Sequence, residues 1–504
     1  MKLVSVWSVA LHGVDGIPVE IEADISRGVP GFRLIGLPDA ALRESKDRLR
    51  AAVRNSGEHW PGWQINLAMS PASLRKVGAH YDVALACAVM AAAEEVPLDK
   101  LTGTVLLGEL ALDGRIRPVR GVLPALLAAR RSGLTRAVVP VSALPEASLV
   151  EGVDVRGAAQ LADVFAWLRG KQDLPVPGER PRGKPSDHGD IGDVIGQPEA
   201  RWALEVAAAG GHHLLLVGPP GTGKTMLAER LPSILPELTQ EESLEVTAIH
   251  SVAGALTPET PLITVPPFVH PHHTTSVAAL VGGGTGLAKP GAVSTAHRGI
   301  LLLDESCEFA SDRLDALRTA LEDGEVRHAR RDGMVRYPAR FQLVLATNPC
   351  PCAPPKSSDC TCTPIAKRRY FAKISGPLMD RVDLRVPMRP ITAMTNVDGT
   401  VPERSAMVRE RVTKARERAA HRWSEFGWHT NAEIPGPELR GRHALPRDVT
   451  GELDRALSIS AITARGADRI LRVAWTLADL ADRDRPDADH VSAALAYRDR
   501  GITA

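Results

Sequence analysis

Residues Gly218 to Thr225 read GPPGTGKT, directly after the apolar run HHLLLVG and directly before TMLAERLPSIL, which has helical character. A strand feeding a glycine-rich loop that opens a helix is the context in which such a loop cradles phosphates. Gly218, Pro219, Pro220, Gly221, Thr222 and Gly223 supply the loop, whose backbone N–H groups converge on phosphate oxygens beside the positive helix end. Lys224 then reaches the β- and γ-phosphates, and the Thr225 hydroxyl becomes a magnesium ligand. The cofactors expected are ATP and Mg²⁺.

Two later apolar runs fit the same sheet. GILLLD, from Gly299, ends in Asp304 and Glu305, one carboxylate suited to the metal and the next to orienting the attacking water. FQLVLAT ends in Asn348, a neutral polar side chain on a neighbouring strand tip that can hold the same water. Strands separated by helices predict an α/β core with a parallel sheet and ligands at the strand C-terminal ends. Further on, SGPLMDRVDL carries Arg381 between Asp380 and Asp383. Spacing leaves two roles open for it: a surface ion-pair partner, or a cation entering a neighbouring subunit's ATP site to stabilise charge on the transferring phosphoryl group.

A chain of 504 residues exceeds one hydrophobic core. Residues 1–170 alternate strand-like and helical runs, predicting an α/β domain of their own, and 171–190 are rich in proline, glycine and charge, as a linker is. Residues 191–392 hold the phosphate loop and its partner strands, and 393–504 have helical periodicity, predicting a helical lid. The net charge of +1 excludes a globally basic nucleic-acid coat but leaves room for a local basic patch. The N-terminus lacks the layout of a signal peptide, and no run approaches the length of a membrane helix, so the expectation is a soluble, cytoplasmic protein without membrane partners.

Taken with PHHTTSVAALVGGG, KPGAVSTAHRG, LEDGEV, NPCPC and SGPLMDRVDL, these motifs make the chain resemble the magnesium-chelatase-like AAA+ proteins of the YifB or ComM family. The resemblance runs over nearly the whole chain, including LLGELALDGRIRPVRGVLP and TARGADRILRVAWTLADL. It implies a homo-hexameric ring acting on single-stranded or branched DNA, with branch-migration helicases of natural transformation as the best-described members. It also implies that Asn348 is the sensor-1 residue, Arg381 the arginine finger and Arg465 the sensor-2 residue, with Arg469 as the fallback. Where the family has RVARTIADL, this chain has Trp475 in place of the second arginine.

The N-terminal region resembles the proteolytic domain of Lon, of the S5-related fold. Lon chemistry needs a serine and a lysine to deprotonate it. Here the serine region reads KVGAHYD, Lys76 to Asp82, and the lysine region GVLPA, Gly121 to Ala125, with neither residue in its place. A binding or ring-assembly role is expected instead of proteolysis.

Between the two catalytic strands lies EVRHARRDGMVRYPARF, whose Asp332-Gly333 pair signals a β-hairpin. Arg327, Arg330, Arg331 and Arg336 cluster on or near its tip and are the candidate DNA contacts; the alternative is a solvated hairpin whose arginines pair with Glu322, Asp323 and Glu325. The segment Pro267 to His297 carries His270, His272 and His273, whose HPHH spacing matches no established metal site. Cys350, Cys352, Cys360 and Cys362 form two CxC pairs on a proline-rich loop, a set that one tetrahedral Zn²⁺ can gather; a reducible disulfide or free thiols are the alternatives. Two other function classes stay in view: a chelatase-type ATPase driving metal insertion into a tetrapyrrole, and a protein-remodelling ATPase.

Overall fold

A computed structural model describes residues 3–178, 188–284, 288–330, 333–354, 359–390 and 403–499. Residues 179–187 of the expected linker lie outside the described residues, as do 391–402 where the expected core passes into the lid.

The N-terminal part is built on a seven-stranded mixed sheet. Its strands are β1 (Val4–His12), β2 (Asp15–Ser26), β3 (Gly31–Ile35), β4 (Gln64–Ser70), β5 (Thr104–Leu106), β6 (Arg136–Pro140) and β7 (Asp154–Ala158), in the order β3-β4-β2-β1-β5-β6-β7. β2 alternates buried and half-buried residues from Val19 to Ser26, the period of two with which successive side chains point to opposite faces. The covering helix is α1 (Asp82–Ala92), DVALACAVMAA, every residue of which is buried. A helix apolar on all sides belongs inside a core. On the other side, α2 (Val122–Arg131) lies against β2.

The central part follows with α3 (Pro198–Gly210), β8 (Leu214–Val217), α4 (Lys224–Ile234), α5 (Gln240–Ala253), β9 (Phe268–Val269), β10 (Ile300–Leu303), β11 (Glu325–Arg330), β12 (Gly333–Pro338), β13 (Gln342–Thr347), α6 (Pro364–Phe371) and β14 (Leu384–Pro387). Five of these strands form a parallel sheet in the order β9-β10-β13-β8-β14. β8, β10 and β13 are buried at every position, as strands covered on both faces are. β8 thus sits between β13 and β14, and its C-terminal end delivers the phosphate loop to the middle of the sheet edge. β11 and β12 stand apart as a two-stranded antiparallel ribbon.

Four longer helices complete the chain: α7 (Ser405–Arg422), α8 (Arg447–Ser458), α9 (Ala464–Leu480) and α10 (Ala488–Asp499). α7 and α9 pack on α3 and share its hydrophobic core, in which Trp475 meets Trp423 at 5.5 Å between ring centroids and Arg422 lies 4.6 Å over the Trp475 ring. The tryptophan standing where the family has arginine is therefore a core residue. α2 packs on α5, joining the first sheet to the second unit; there Ser251 Oγ donates to the half-buried Glu146 carboxylate at 2.5 Å.

Candidate active site

The phosphate loop turns on glycines. Gly221 and Gly223 have φ of +78° and +85°, in the left-handed region, with no atom within 4 Å of where a Cβ would stand. A side chain there would occupy the open cradle and strain the turn. Lys224, 9% exposed, donates from Nζ to the loop carbonyls of Gly218 at 2.7 Å and Pro219 at 3.0 Å, and to Asn348 Oδ1 at 3.1 Å. Burial lowers its proton affinity, while Asp304 and Glu305 act in the opposite direction. Thr225 Oγ1 donates to Asp304 Oδ2 at 2.5 Å, bringing the two expected magnesium ligands together. These donors and carboxylates have the chemistry a magnesium–nucleotide complex needs: an ammonium, open backbone amides, a hydroxyl and an acid.

Glu305 follows with φ of +49°, unusual for a residue with a side chain. Its N–H donates to Asp304 Oδ1 at 2.8 Å, and one carboxylate oxygen lies 3.4 Å from His273 Nδ1. His273 is held in turn: Arg313 donates to its carbonyl at 2.5 Å, and the His272 ring lies tilted against its ring, 4.1 Å between centroids. Gln197 clamps the loop from behind, donating to the carbonyls of Thr222 at 3.2 Å and Arg389 at 2.6 Å. Nothing in the sequence marks Gln197 or the His273–Glu305 pairing, because each joins segments far apart in the chain.

Three arginines gather on another side. Arg381 is 6% exposed, pairs with Glu322 and donates to the Pro377 carbonyl at 2.5 Å; its flanking Asp380 and Asp383 are not its partners. Burial depresses its proton affinity, and Arg318, Arg469 and Arg465 add to the effect. Arg469 donates to Asp383 at 2.6 Å. Although burial works to raise the Asp383 carboxyl, Arg469 first, then His212 and His213, hold it well below the usual range. Arg465 is exposed at the first turn of α9 and makes no hydrogen bond or ion pair among the described residues.

Comparison with known proteins decides the family. Residues 190–396 match the family model described as magnesium chelatase, subunit ChlI, residues 402–498 the model of its C-terminal part, and residues 21–143 the model described as subunit ChlI of Mg-chelatase. Over 99% of both chains the sequence is 58% identical to an uncharacterized protein of Mycobacterium tuberculosis. It is 40% identical to the uncharacterized protein YifB of Escherichia coli over 99% of this chain and 97% of YifB, and 39% identical to the competence protein ComM of Haemophilus influenzae over 99% and 98%. The chain belongs to the magnesium-chelatase-like AAA+ family of YifB and ComM. A shorter stretch, 31% of the chain, is 28% identical to the Lon protease of Mycolicibacterium smegmatis over 21% of that protein. As a member of this family the chain is an ATPase, and the family implies ATP and Mg²⁺.

In the β11–β12 ribbon, Arg327 is paired directly with Arg336, and Arg330 with Gly333. Both Arg327 and Arg336 are exposed; Arg327 also pairs with Glu325 at 2.5 Å. The other face, with Val326, Val335 and Tyr337, is buried. The Arg330 side chain, Arg331 and Asp332 lie outside the described residues. The ribbon also touches the first sheet: His12 Nε2 is 3.1 Å from the Met334 carbonyl.

The four clustered cysteines converge, with all four Sγ atoms within 4.8 Å of one another. The histidines of the HPHH segment form no comparable group among the described residues. In the Lon-like stretch, Lys76 is fully buried and donates to the carbonyls of Met69, at 2.9 Å, and Pro71. Asp82 is paired with Arg48 at 3.0 Å, and His80 Nε2 lies 3.0 Å from the Val9 carbonyl. No described helix is long and apolar enough to cross a membrane.

Proposed function

We propose that this AAA+ ATPase is a cytoplasmic DNA motor, a branch-migration factor of recombination or natural transformation that works as a homo-hexameric ring. The observation that carries the reading is Arg327 directly opposite Arg336 on the exposed face of the ribbon. Like charges directly opposite in a β-ladder are destabilising unless an anion lies between them, and a phosphate backbone is such an anion. The competence-protein name of the Haemophilus relative points the same way.

In this reading the amides of Gly218 to Gly223 receive the phosphates, Lys224 contacts the β- and γ-phosphates, and Thr225 with Asp304 holds Mg²⁺. Glu305 orients the attacking water, assisted by Asn348. Arg381 exchanges Glu322 for the phosphates of the adjacent subunit, and Arg465 reaches the nucleotide from the lid. Arg465 is preferred to Arg469 because Arg469 is committed to Asp383. Residues 1–170 serve as a Lon-like binding or assembly domain, 171–190 as the linker, 191–392 as the ATPase core and 393–504 as the lid. Lys76, bonded to carbonyls, is unsuited to proteolysis.

The chelatase descriptions of the matched models support a second reading, a motor that drives metal insertion into a tetrapyrrole through partner subunits. Paired arginines on an exposed ribbon favour DNA over that substrate. ATP hydrolysis measured with and without single-stranded, duplex and branched DNA separates the two. Stimulation by single-stranded or branched DNA is expected. Stimulation by none of the three would overturn the DNA reading and leave the chelatase and protein-remodelling classes.

A further inference from the structure

We propose that Cys350, Cys352, Cys360 and Cys362 hold one structural zinc ion that braces the loop after Asn348. In a tetrahedral site with zinc–sulfur bonds of about 2.3 Å, the sulfurs stand about 3.8 Å apart. The Sγ atoms of Cys350 and Cys352 are 3.4 Å apart, those of Cys350 and Cys360 3.5 Å, and those of Cys352 and Cys360 3.7 Å. Cys362 lies within the same 4.8 Å limit. A disulfide would single out one partner for each thiol. Here three sulfurs are nearly equidistant and all four cysteines are free.

The local chain is shaped for chelation. Ala353 N–H donates to the Cys350 carbonyl at 3.2 Å, closing a turn in which Ala353 takes φ of +43°. That turn brings Cys352 back beside Cys350, which solves the problem that a CxC pair in extended backbone points its side chains the same way but too far apart. Left-handed backbone at an alanine has a cost that persists only where the surroundings fix it, and metal ligation supplies such a constraint. Four thiolates around one divalent cation leave a net charge of −2, which calls for positive charge nearby. α6 begins at Pro364, with Thr363 as its cap, so its positive N-terminal end directly follows Cys362, and Lys367, Arg368 and Arg369 lie along it.

The sulfur-only donor set excludes magnesium and calcium and selects zinc or iron. Four ligand atoms this close together suit a single ion, whereas an iron–sulfur cluster places several metal atoms and sulfides between its thiolates. The ion would tie two segments together. One leads back in two residues to Asn348; the other leads into α6, whose buried Tyr370 is 3.5 Å, oxygen to oxygen, from Thr347, the residue before Asn348. Zinc here fixes the strand tip that carries Asn348.

The test uses the full chain, purified without a histidine tag under reducing conditions. Elemental analysis should give about one zinc per chain, and the double variant Cys352→Ser with Cys362→Ser should retain less than about one tenth of it. Cys87→Ala, at an isolated buried thiol, should keep the metal. Because the double variant can fail to fold, the wild-type chain provides a second measurement: cobalt(II) in place of zinc should give the visible bands of a tetrahedral thiolate site. Zinc content near zero, with no cobalt spectrum and the four thiols freely reactive, would overturn the proposal. So would iron at the same stoichiometry.

Discussion

Lys224 and Asn348, 124 positions apart in sequence, meet at 3.1 Å, with the ammonium donating to the side-chain oxygen of the amide. The phosphate loop and the tip of the neighbouring strand are thereby joined side chain to side chain. Their roles separate by substitution. Lys224→Ala removes a charged donor, and nucleotide affinity is expected to fall roughly ten- to a hundredfold. Glu305→Gln keeps nucleotide binding but loses the carboxylate beside the water, so turnover should fall by about 10² or more. Binding of a fluorescent nucleotide and steady-state hydrolysis measure the two effects separately. Wild-type turnover in the Glu305→Gln chain would remove Glu305 from its role.

His273 holds a Glu305 oxygen at 3.4 Å, and that carboxylate is half exposed. A carboxylate engaged with an imidazole is less available to orient water, so His273→Ala should raise basal hydrolysis. Exposed pairs of this kind are worth up to about 1 kcal/mol, which bounds the increase at about fivefold. His273→Asn, which retains a donor, should restore much of the wild-type rate. An unchanged rate in both variants would show that the pair has no bearing on catalysis.

In the N-terminal part, Arg169 grips the Glu58 carboxylate with two hydrogen bonds, at 2.5 and 2.8 Å. Bonding to Arg169 holds the Glu58 carboxyl below its ordinary value of 4.5, against the opposing effect of burial. A carboxyl depressed in the folded state adds stability above its unfolded pKa and loses it as pH falls through the folded one. Glu58→Gln should therefore cost about 1.5–3 kcal/mol near neutral pH. The difference from wild type should shrink below pH 4.5, as followed by denaturant unfolding across pH. A gap that stays constant down to low pH would rule out the charged pairing as its source.

The parts of the site that were legible in the sequence are those written in consecutive residues. LLLV before GPPGTGKT and ILLL before Asp304 declare buried parallel strands with functional tips, because a strand covered on both faces must be apolar throughout. For Arg381 the sequence left an ion-pair role and a trans role open and hid its partner: Glu322 lies on a helix 59 positions earlier, while the nearby Asp380 and Asp383 pair with other arginines. The order β3-β4-β2-β1-β5-β6-β7 was equally hidden, since alternation of apolar residues predicts strands and says nothing of their neighbours. For the cysteines, spacing offered four thiols, and only the fold brings their sulfurs within 4.8 Å.

The ribbon is where the DNA reading meets its sharpest test. Arg327 and Arg336 lie opposite each other on the exposed face, and the buried face with Val335 and Tyr337 anchors the ribbon to the body of the protein. Replacing both arginines with alanine leaves that anchoring face intact, so the fold should survive. Removing the pair ends their mutual repulsion and also the Arg327–Glu325 pairing, so the stability of the free chain should change little. If both guanidinium groups contact phosphates, the slope of log binding constant against log salt should flatten by about 0.9 per lost contact on duplex and about 0.7 on single strands. Basal ATP hydrolysis should persist, because neither residue belongs to the nucleotide pocket around Lys224 and Glu305, while stimulation by branched DNA falls. The competing expectation is a solvated hairpin in which Arg327 serves only Glu325. In that case the double variant binds DNA with an unchanged salt slope and unwinds a branched substrate at the wild-type rate, and the DNA-contacting surface must lie elsewhere on the protein.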